Sequence, residues 1–242
     1  MRAIIAFIVF LEIFSLEIAA EEGQAPQKER GLVGYWKFDE NGGNVAKDSS
    51  GCGNDGIIEG AVWAKGKIGS CLLFEKDRAF VNCGGGASLN ITAAITMMVW
   101  VNVANTSRCG SIVCRGNRNG RSMAYELFLS PGNPTTLSIG NGATYENITC
   151  SVPETGQWLQ LAFTFKEGVA RIFKNGRLHG IGKFNSVASI WNAPNVPTII
   201  GAYNIGEAFS FKGCIDEVRI YNRALSKEEI KAAYEAVLSV SK

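Results

Sequence analysis

The sequence is short of histidine, of net charge and of long apolar runs, and each shortage narrows the possible functions. It has one histidine, His179, and no Cys-x-x-Cys pair, which argues against a zinc site. A Ser-His-Asp triad would depend on His179, and no Gly-x-Ser-x-Gly motif accompanies it. The formal net charge is only +2, without the clustered basic residues that nucleic-acid binding requires. Nucleic acid is therefore not an expected partner.

The one long apolar segment lies at the N-terminus. Arg2 precedes an apolar run over residues 3–11, and Ala19 and Ala20 supply the small residues of a cleavage site. Glu12 and Glu17 argue against a stable anchor, because a carboxylate in mid-bilayer is costly. We therefore predict a signal peptide over 1–20 and a disordered leader over 21–30. Secretion to the exterior or the cell surface follows, with no membrane span after the signal peptide is removed; an uncleaved anchor is the alternative.

Residues 31–238 show the pattern of an all-β domain. Residues 95–103, ITMMVWVNV, strongly favour a strand, and Asn175-Gly176 is typical of a two-residue hairpin turn. Turn residues recur at a spacing of roughly ten, as two packed antiparallel sheets require. A single helix is predicted at the C-terminal end, where Ser226 and Glu229 form a capping box before an apolar stripe.

Seven cysteines in an exported chain predict disulfides with at least one thiol left over. Residues 71–75 and 79–83 have the pattern of a hairpin that pairs Phe74 with Phe80 and places Cys71 opposite Cys83. Cys109 and Cys114, which enclose four residues, are a second candidate pair. The partners of the other three cysteines stay open; they are Cys52, Cys150 and Cys214.

Five segments carry a family resemblance, and they occur along the chain in this order: GLVGYWKFDE, DSSGCGNDGIIEGAVWAKGKIGSCLLFEKDRAFVNC, TMMVWVNV, WLQLAFTFKEGVARIFKNGRLHG and GCIDEVRIYNRALSKEEI. Together they resemble the laminin-G-like jelly-roll domains of the concanavalin A-like lectin/glucanase superfamily. The resemblance spans about residues 31–238, so one domain is expected there. It implies a two-sheet antiparallel jelly-roll sandwich, a structural calcium ion, and carbohydrate or protein partners.

The resemblance also implies which residues bind calcium. The family's site draws on the carboxylates of its Phe-Asp-Glu and Ile-Asp-Glu-Val segments, which here are Asp39 and Asp216. The oxygen-rich loop DSSGCGNDG adds Asp48 and Asn54 as further candidates.

Strand alternation adds a prediction about the two adjacent carboxylates. It places Asp216 on the core face with Val218 and turns Glu217 towards solvent. A buried carboxylate needs a partner, and the alternatives to a metal are an arginine or backbone N–H groups.

Catalysis and binding are weighed from the carboxylates and aromatic residues. Glycoside hydrolysis normally needs two carboxylates that face each other across a cleft, and no strand here carries such a pair on one face. We therefore predict a secreted, non-catalytic module that binds carbohydrate or another cell-surface polymer. The alternatives are a glycoside hydrolase of the same fold and a protein-binding adhesion or assembly domain. Loop residues that could bind a sugar, if they are not packing residues, are Arg118, Tyr145, Trp191 and Tyr203.

Overall fold

The structure is a computed structural model that describes residues 29–104, 110–117, 122–129, 135–151, 154–203 and 210–240. The predicted signal peptide, most of the predicted leader, Cys109 and Arg118 lie outside these residues. Within the described ranges, no helix combines the length and apolarity needed to cross a bilayer.

Short strands form most of the described chain. In order they are β1 (Leu32–Trp36), β2 (Val45–Ala46), β3 (Gly56–Glu59), β4 (Val62–Lys65), β5 (Ser70–Phe74), β6 (Phe80–Asn82), β7 (Ala94–Val103), β8 (Gly110–Asn117), β9 (Ser122–Leu129), β10 (Thr135–Gly140), β11 (Tyr145–Thr149), β12 (Trp158–Lys166), β13 (Val169–Lys174), β14 (Arg177–Lys183), β15 (Thr198–Ile200) and β16 (Gly213–Tyr221). A 3-10 helix spans Ala87–Leu89, and the helix α1 spans Lys227–Val240.

The strands make two eight-stranded antiparallel sheets. Sheet A has the order β14-β13-β12-β7-β16-β5-β4, with β1 also paired to β16. Sheet B has the order β11-β10-β9-β8-β15-β6-β3-β2. The predicted two-sheet antiparallel sandwich is confirmed.

Alternation along β7 shows how the sheets pack. Val99 and Val101 join the core between the sheets, together with Tyr125 and Leu137 of sheet B. The intervening Met98 belongs to a second apolar cluster on the outer face of sheet A. Apolar residues on both faces of β7 therefore explain why its sequence is continuously apolar rather than alternating.

Helix α1 covers that outer face. Ile230 packs into the second cluster with Phe173, and the ring of Tyr234 stacks on Trp100 at a centroid distance of 5.5 Å. At the helix start, Glu229 Oε2 accepts a hydrogen bond from the Ser226 N–H (2.8 Å), and the Glu229 N–H donates to Ser226 Oγ (3.2 Å). The predicted capping box and docked helix are confirmed.

The hairpin predicted over residues 71–83 is wrong. β5 pairs with β4 and β16 in sheet A, whereas β6 pairs with β3 and β15 in sheet B. Phe74 and Val81 both face the inter-sheet core. Two strands in opposite sheets bury these side chains as well as a hairpin would, so the apolar pattern does not distinguish the two arrangements. The predicted Cys71–Cys83 bond is therefore wrong, and both cysteines are free thiols. The Cys109–Cys114 bond stays a prediction.

Candidate functional site

Strand β16 contains a β-bulge at its adjacent carboxylates. Asp216 lies opposite Trp100 of β7, and the next registered pair is Arg219 with Met98. Three steps along β16 therefore match two steps along β7. Glu217, at a φ of +52°, provides the left-handed residue in this bulge.

The bulge changes which side chains share a face. Val218 and Ile220 point into the inter-sheet core, but Asp216 lies opposite Trp100 on the outer face of sheet A. The prediction that Asp216 shares the face of Val218 is wrong, because the extra residue shifts the alternation by one. Glu217 is only 4% exposed, so its predicted solvent-facing position is also wrong.

Glu217 belongs to a buried polar cluster with Tyr35 and Arg219. Its Oε2 accepts hydrogen bonds from Tyr35 Oη (2.6 Å) and Arg219 Nη2 (2.8 Å). The Arg219 guanidinium also lies 4.3 Å from the centre of the Tyr35 ring. The carboxylate charge is thus matched by a cation, which suits a structural role for Glu217.

Asp216 is fully buried and only half satisfied. Its Oδ2 accepts hydrogen bonds from the backbone N–H groups of Lys67 (2.8 Å) and Ile68 (3.2 Å). Its Oδ1 is buried without a hydrogen-bond partner. Burial raises the pKa of Asp216 to about 8, and the nearby charge of Glu217 acts in the same direction. A cation beside Oδ1 would remove this penalty.

Asp39 binds the same turn, formed by residues 66–70. Its Oδ1 accepts a hydrogen bond from the Ser70 N–H (3.2 Å). A Cβ on Gly69 would lie 2.1 Å from that oxygen, so the approach requires glycine. Phe38, at a φ of +58°, turns the backbone just before Asp39, an unusual conformation for a bulky residue.

Asp48 and Asn54 bond within a different loop. Asp48 accepts hydrogen bonds from the N–H groups of Tyr35, Ser50 and Asn54, each at 2.9 Å. The Asn54 carboxamide donates to Val33 O (2.8 Å) and Ser88 Oγ (2.9 Å). These bonds hold the loop against the sandwich, and none of them reaches the turn at 66–70.

The carboxylate oxygens near that turn are of the kind that calcium prefers, but they are too few to complete its coordination. Asp39 and Asn41 line an open cavity with Ser70, and Asp216 approaches the turn from the buried side. Calcium prefers carboxylate and carbonyl oxygens and takes six to eight of them. In the part of the chain that the structure describes, no group of three or more histidine, cysteine or acidic residues could hold a metal. Backbone oxygens and water would have to complete the coordination.

Two of the predicted sugar-binding residues line one pocket beside β8 and β15 of sheet B. Trp191 and Tyr203 are both partly exposed there. The remaining lining residues come from β8, from the start of β9 and from the segment around β15; they are Cys114, Gly116, Ser122, Val196, Pro197 and Ile199. We call this the aromatic pocket; its volume is about 180 Å³.

Trp191 is held in place by the turn between β10 and β11. The backbone N–H of Trp191 donates a hydrogen bond to the Gly140 carbonyl oxygen (2.7 Å), and a Cβ on Gly142 would lie 2.4 Å from the indole ring. Because Gly142 has a φ of +88°, both the turn and the ring contact favour glycine. The backbone therefore fixes the indole before any ligand arrives.

The other two predicted residues do not join this lining. Tyr145 begins β11 opposite Gly140, is about one-third exposed, and is absent from the pocket wall. Arg118 lies outside the described residues; Gly116 of β8 and Ser122 of β9 line the pocket. Sequence reasoning missed Ser122 and Pro197 as lining residues, because neither stands out among loop residues.

Comparison with known families identifies the chain. A family model described as the concanavalin A-like lectin/glucanases superfamily, of laminin G type, matches residues 77–231, more than half of the sequence. This chain belongs to that superfamily. None of the curated proteins compared with it matches.

Solved structures share the fold at low sequence identity. Domain 4 of an extracellular arabinanase from Geobacillus stearothermophilus, in complex with arabinotriose, is 23% identical, with a TM-score of 0.66; 84% of this chain and 98% of that chain are covered. The binding domain of the Paraclostridial mosquitocidal protein 1 is 16% identical, with a TM-score of 0.68 and coverage of 85% and 52%.

A ligand-binding domain of botulinum neurotoxin serotype D, in complex with N-acetylneuraminic acid, is 14% identical, with a TM-score of 0.64 and coverage of 85% and 51%. This chain thus spans about half the length of the two toxin domains. At these identities the similarity establishes the fold alone.

Proposed function

We propose that this protein is a secreted, non-catalytic module that binds carbohydrate in the aromatic pocket. The observation that carries the proposal is the pairing of Trp191 and Tyr203, from separate segments, on the wall of one open pocket. Aromatic faces stack on the apolar faces of sugar rings, and nearby polar groups bind the hydroxyls. Ser122 and the backbone around Gly116 supply such polar groups.

The size of the pocket indicates how much of a glycan it holds. Its volume of about 180 Å³ is below the range of roughly 300–1,000 Å³ of drug-sized ligand sites. We therefore expect it to bind one sugar unit, at the end of a chain or along it, with weak affinity. Arabinotriose and N-acetylneuraminic acid, which are bound by structures of the same fold, are suitable first probes.

The experiment is a titration of the purified protein with arabinotriose, N-acetylneuraminic acid and a panel of polysaccharides, followed by calorimetry and tryptophan fluorescence. Replacing Tyr203 with alanine should weaken binding at least about tenfold, because stacking energy is lost. Tyr145→Ala is the matched control, because Tyr145 follows the turn between β10 and β11 but lies outside the pocket wall. Equal losses in both variants would contradict the assignment to the aromatic pocket.

The non-catalytic part of the proposal rests on the two neighbouring carboxylates. Asp216 is buried beneath the turn at 66–70, and Glu217 is buried beside Arg219. Neither carboxylate therefore faces an open cleft. Incubation with the bound polysaccharide should leave its reducing-end content unchanged. Release of new reducing ends would favour the alternative, a glycoside hydrolase of the same fold.

A protein partner is the other alternative, and the same panel separates it. A blank glycan panel, combined with saturable binding to a purified surface protein, would favour an adhesion or assembly domain. If Tyr203→Ala also lost that protein binding, the aromatic pocket would still be the binding site, but its ligand would be a protein and not a glycan.

We also propose that Asp39 and Asp216 bind calcium. The unpartnered Oδ1 of Asp216 and the approach of both carboxylates to one turn support this proposal. Calcium would add charge-neutralising coordination and so stabilise the turn, and its role would be structural. Asp48 and Asn54 stay predictions as further ligands.

Thermal unfolding in calcium and in chelator tests the metal. The wild type should melt several degrees higher in calcium, since a ligand that binds only the folded state stabilises it. Asp39→Asn should lose most of this shift, while Asp55→Asn, an acidic residue outside the turn, should keep it. No shift in the wild type would refute the calcium site.

A further inference from the structure

Two cysteines that the sequence does not pair lie on neighbouring strands of sheet A. β5 and β16 run antiparallel, with Ile215 opposite Leu72 and Cys214 opposite Leu73. One step beyond the last registered pair, Cys71 stands level with Asp216, two residues from Cys214. Since alternate residues share a face, the two cysteines are diagonal neighbours on the outer face.

The side chains bear out this placement. Leu72 and Phe74 point into the inter-sheet core, whereas Cys71 is fully buried without belonging to that core. Cys214 lies opposite Asn102 of β7, whose neighbours Val101 and Val103 face the core. The thiols of Cys71 and Cys214 are in hydrogen-bonding contact with each other.

The two thiols differ in exposure. Cys214 is partly exposed, while Cys71 is buried. Cys214 is therefore the sulfur that an external disulfide reaches first, and Cys71 is the sulfur that closes the bond.

We propose that Cys71 and Cys214 form a disulfide bond that joins β5 to β16 when the protein meets an oxidising environment. Both are free thiols in the structure, so the bond would be a new modification of this pair. Diagonal neighbours have Cα atoms roughly 7–8 Å apart, which is at or just beyond the upper limit for a disulfide of about 7 Å. The bond therefore needs a small shift of the strands. The bulge at Glu217, where regular pairing is already interrupted, is the place where β16 can accommodate it.

The chemistry is a two-step exchange with a small-molecule disulfide such as oxidised glutathione. The Cys214 thiolate attacks one sulfur of the oxidant, and the first glutathione leaves as a thiolate that takes up the proton lost by Cys214. The Cys71 thiolate then attacks Cys214 Sγ in the mixed disulfide, and the second glutathione leaves and takes up the proton from Cys71. Two protein thiols are oxidised to one disulfide, and one oxidised glutathione is reduced to two thiols.

The bond would close a long loop, because about 140 residues separate the two cysteines. Such a cross-link restricts the unfolded chain strongly, and its effect on stability grows with loop length. It would also tie the strand that follows the turn at 66–70 to the strand that carries Asp216. The oxidised protein should therefore melt higher than the reduced protein, by roughly 5–15 °C for a chain of this size.

The test is oxidation of the purified, fully reduced protein with oxidised glutathione, followed by alkylation, non-reducing proteolysis and peptide mass spectrometry. We expect one linked peptide pair that contains Cys71 and Cys214, and a melting temperature that rises with its yield. The variants Cys71→Ser and Cys214→Ser should both abolish the linked peptide and the rise. Cys83→Ser, at a buried cysteine directly after β6, is the matched control and should retain both.

Two outcomes would overturn the proposal. One is full alkylation of both cysteines after prolonged oxidation of a protein that remains folded by circular dichroism. The other is a linked peptide in which Cys71 or Cys214 is joined to a different cysteine. The mapping uses the wild-type chain, so a variant that fails to fold does not affect the result.

Discussion

The backbone conformation of Glu217 determines which side chains of β16 face the core and which face outwards. Its left-handed φ of +52° creates the bulge that turns Asp216 to the outer face and buries Glu217 beside Arg219. A glycine would adopt this conformation without strain, but it would leave Arg219 without its carboxylate. The side chain and the backbone of this one residue therefore have separate roles.

Glu217→Ala should lower the free energy of unfolding by about 3–5 kcal/mol, because it leaves the largely buried Arg219 cation unpaired. Urea titration measures this loss. Lys231 and Glu235 form an exposed pair on α1, and Glu235→Ala should change stability by less than about 0.5 kcal/mol. Similar effects in the two variants would contradict a structural role for the buried cluster.

Glu146 gives a prediction about pH. Its carboxylate accepts hydrogen bonds from the N–H groups of Asn185 (3.0 Å), Ser186 and Val187 (3.1 Å), and these bonds lower its pKa. A lowered pKa means that the folded state binds fewer protons, so the stabilisation is present above the unfolded pKa and is lost as pH falls.

The difference in stability between the wild type and Glu146→Gln should therefore be largest near neutral pH and shrink below about pH 4, the usual range of a glutamate. Urea titrations from pH 3 to pH 7 measure it. A difference that grows on acidification would have the wrong sign.

At the scale of elements, helix α1 covers the outer face of sheet A. Its start is fixed by the capping box at Ser226 and Glu229, and its packing is fixed by Ile230 and the Tyr234–Trp100 stack. The capping box and the apolar stripe that includes Ile230 are both visible in the local sequence, so the sequence predicts the position of this helix, whereas the stack on Trp100 depends on tertiary structure.

Ser226→Ala should lower the stability of the protein by about 1 kcal/mol, since it removes the hydrogen bond to the Glu229 N–H. Chemical denaturation followed by circular dichroism measures the change. Ser239→Ala, near the other end of α1, removes only an exposed bond to the Ala236 carbonyl and should be nearly neutral. A larger loss at Ser239 would contradict the importance of the cap.

At the scale of the whole molecule, the two sheets share one core. Trp36, Phe163, Tyr125 and Ile200 come from different sheets and from distant parts of the chain, yet they belong to one apolar cluster. Neither sheet can therefore unfold without exposing the inner face of the other.

Unfolding in urea should be a single transition, with tryptophan fluorescence and far-ultraviolet circular dichroism reporting the same midpoint. Trp36 is buried in the shared core, whereas Trp191 lies at the aromatic pocket, so the fluorescence samples both regions. Two separated transitions would show that the sheets are independent units.

The fold class and the C-terminal helix could be determined from sequence, because both depend on patterns that repeat over many residues. Apolar segments between turns indicate strands, and the capping residues mark the start of α1. The sequence predicts the aromatic pocket only in part: Trp191 and Tyr203 are recognisable as loop aromatic residues, but nothing local indicates that their loops meet.

Tertiary structure alone decided the partners across strands. The apolar pattern of β5 and β6 fits a hairpin and a crossing between sheets equally well. The sequence therefore predicts Cys83 as the partner of Cys71, whereas its neighbour in the fold is Cys214. Alternation likewise assumed an unbroken strand, and one residue at positive φ in β16 reversed the faces of the residues around it. Periodicity determines that a strand exists and what it can bury, whereas register, bulges and sheet membership depend on contacts between residues far apart in the chain.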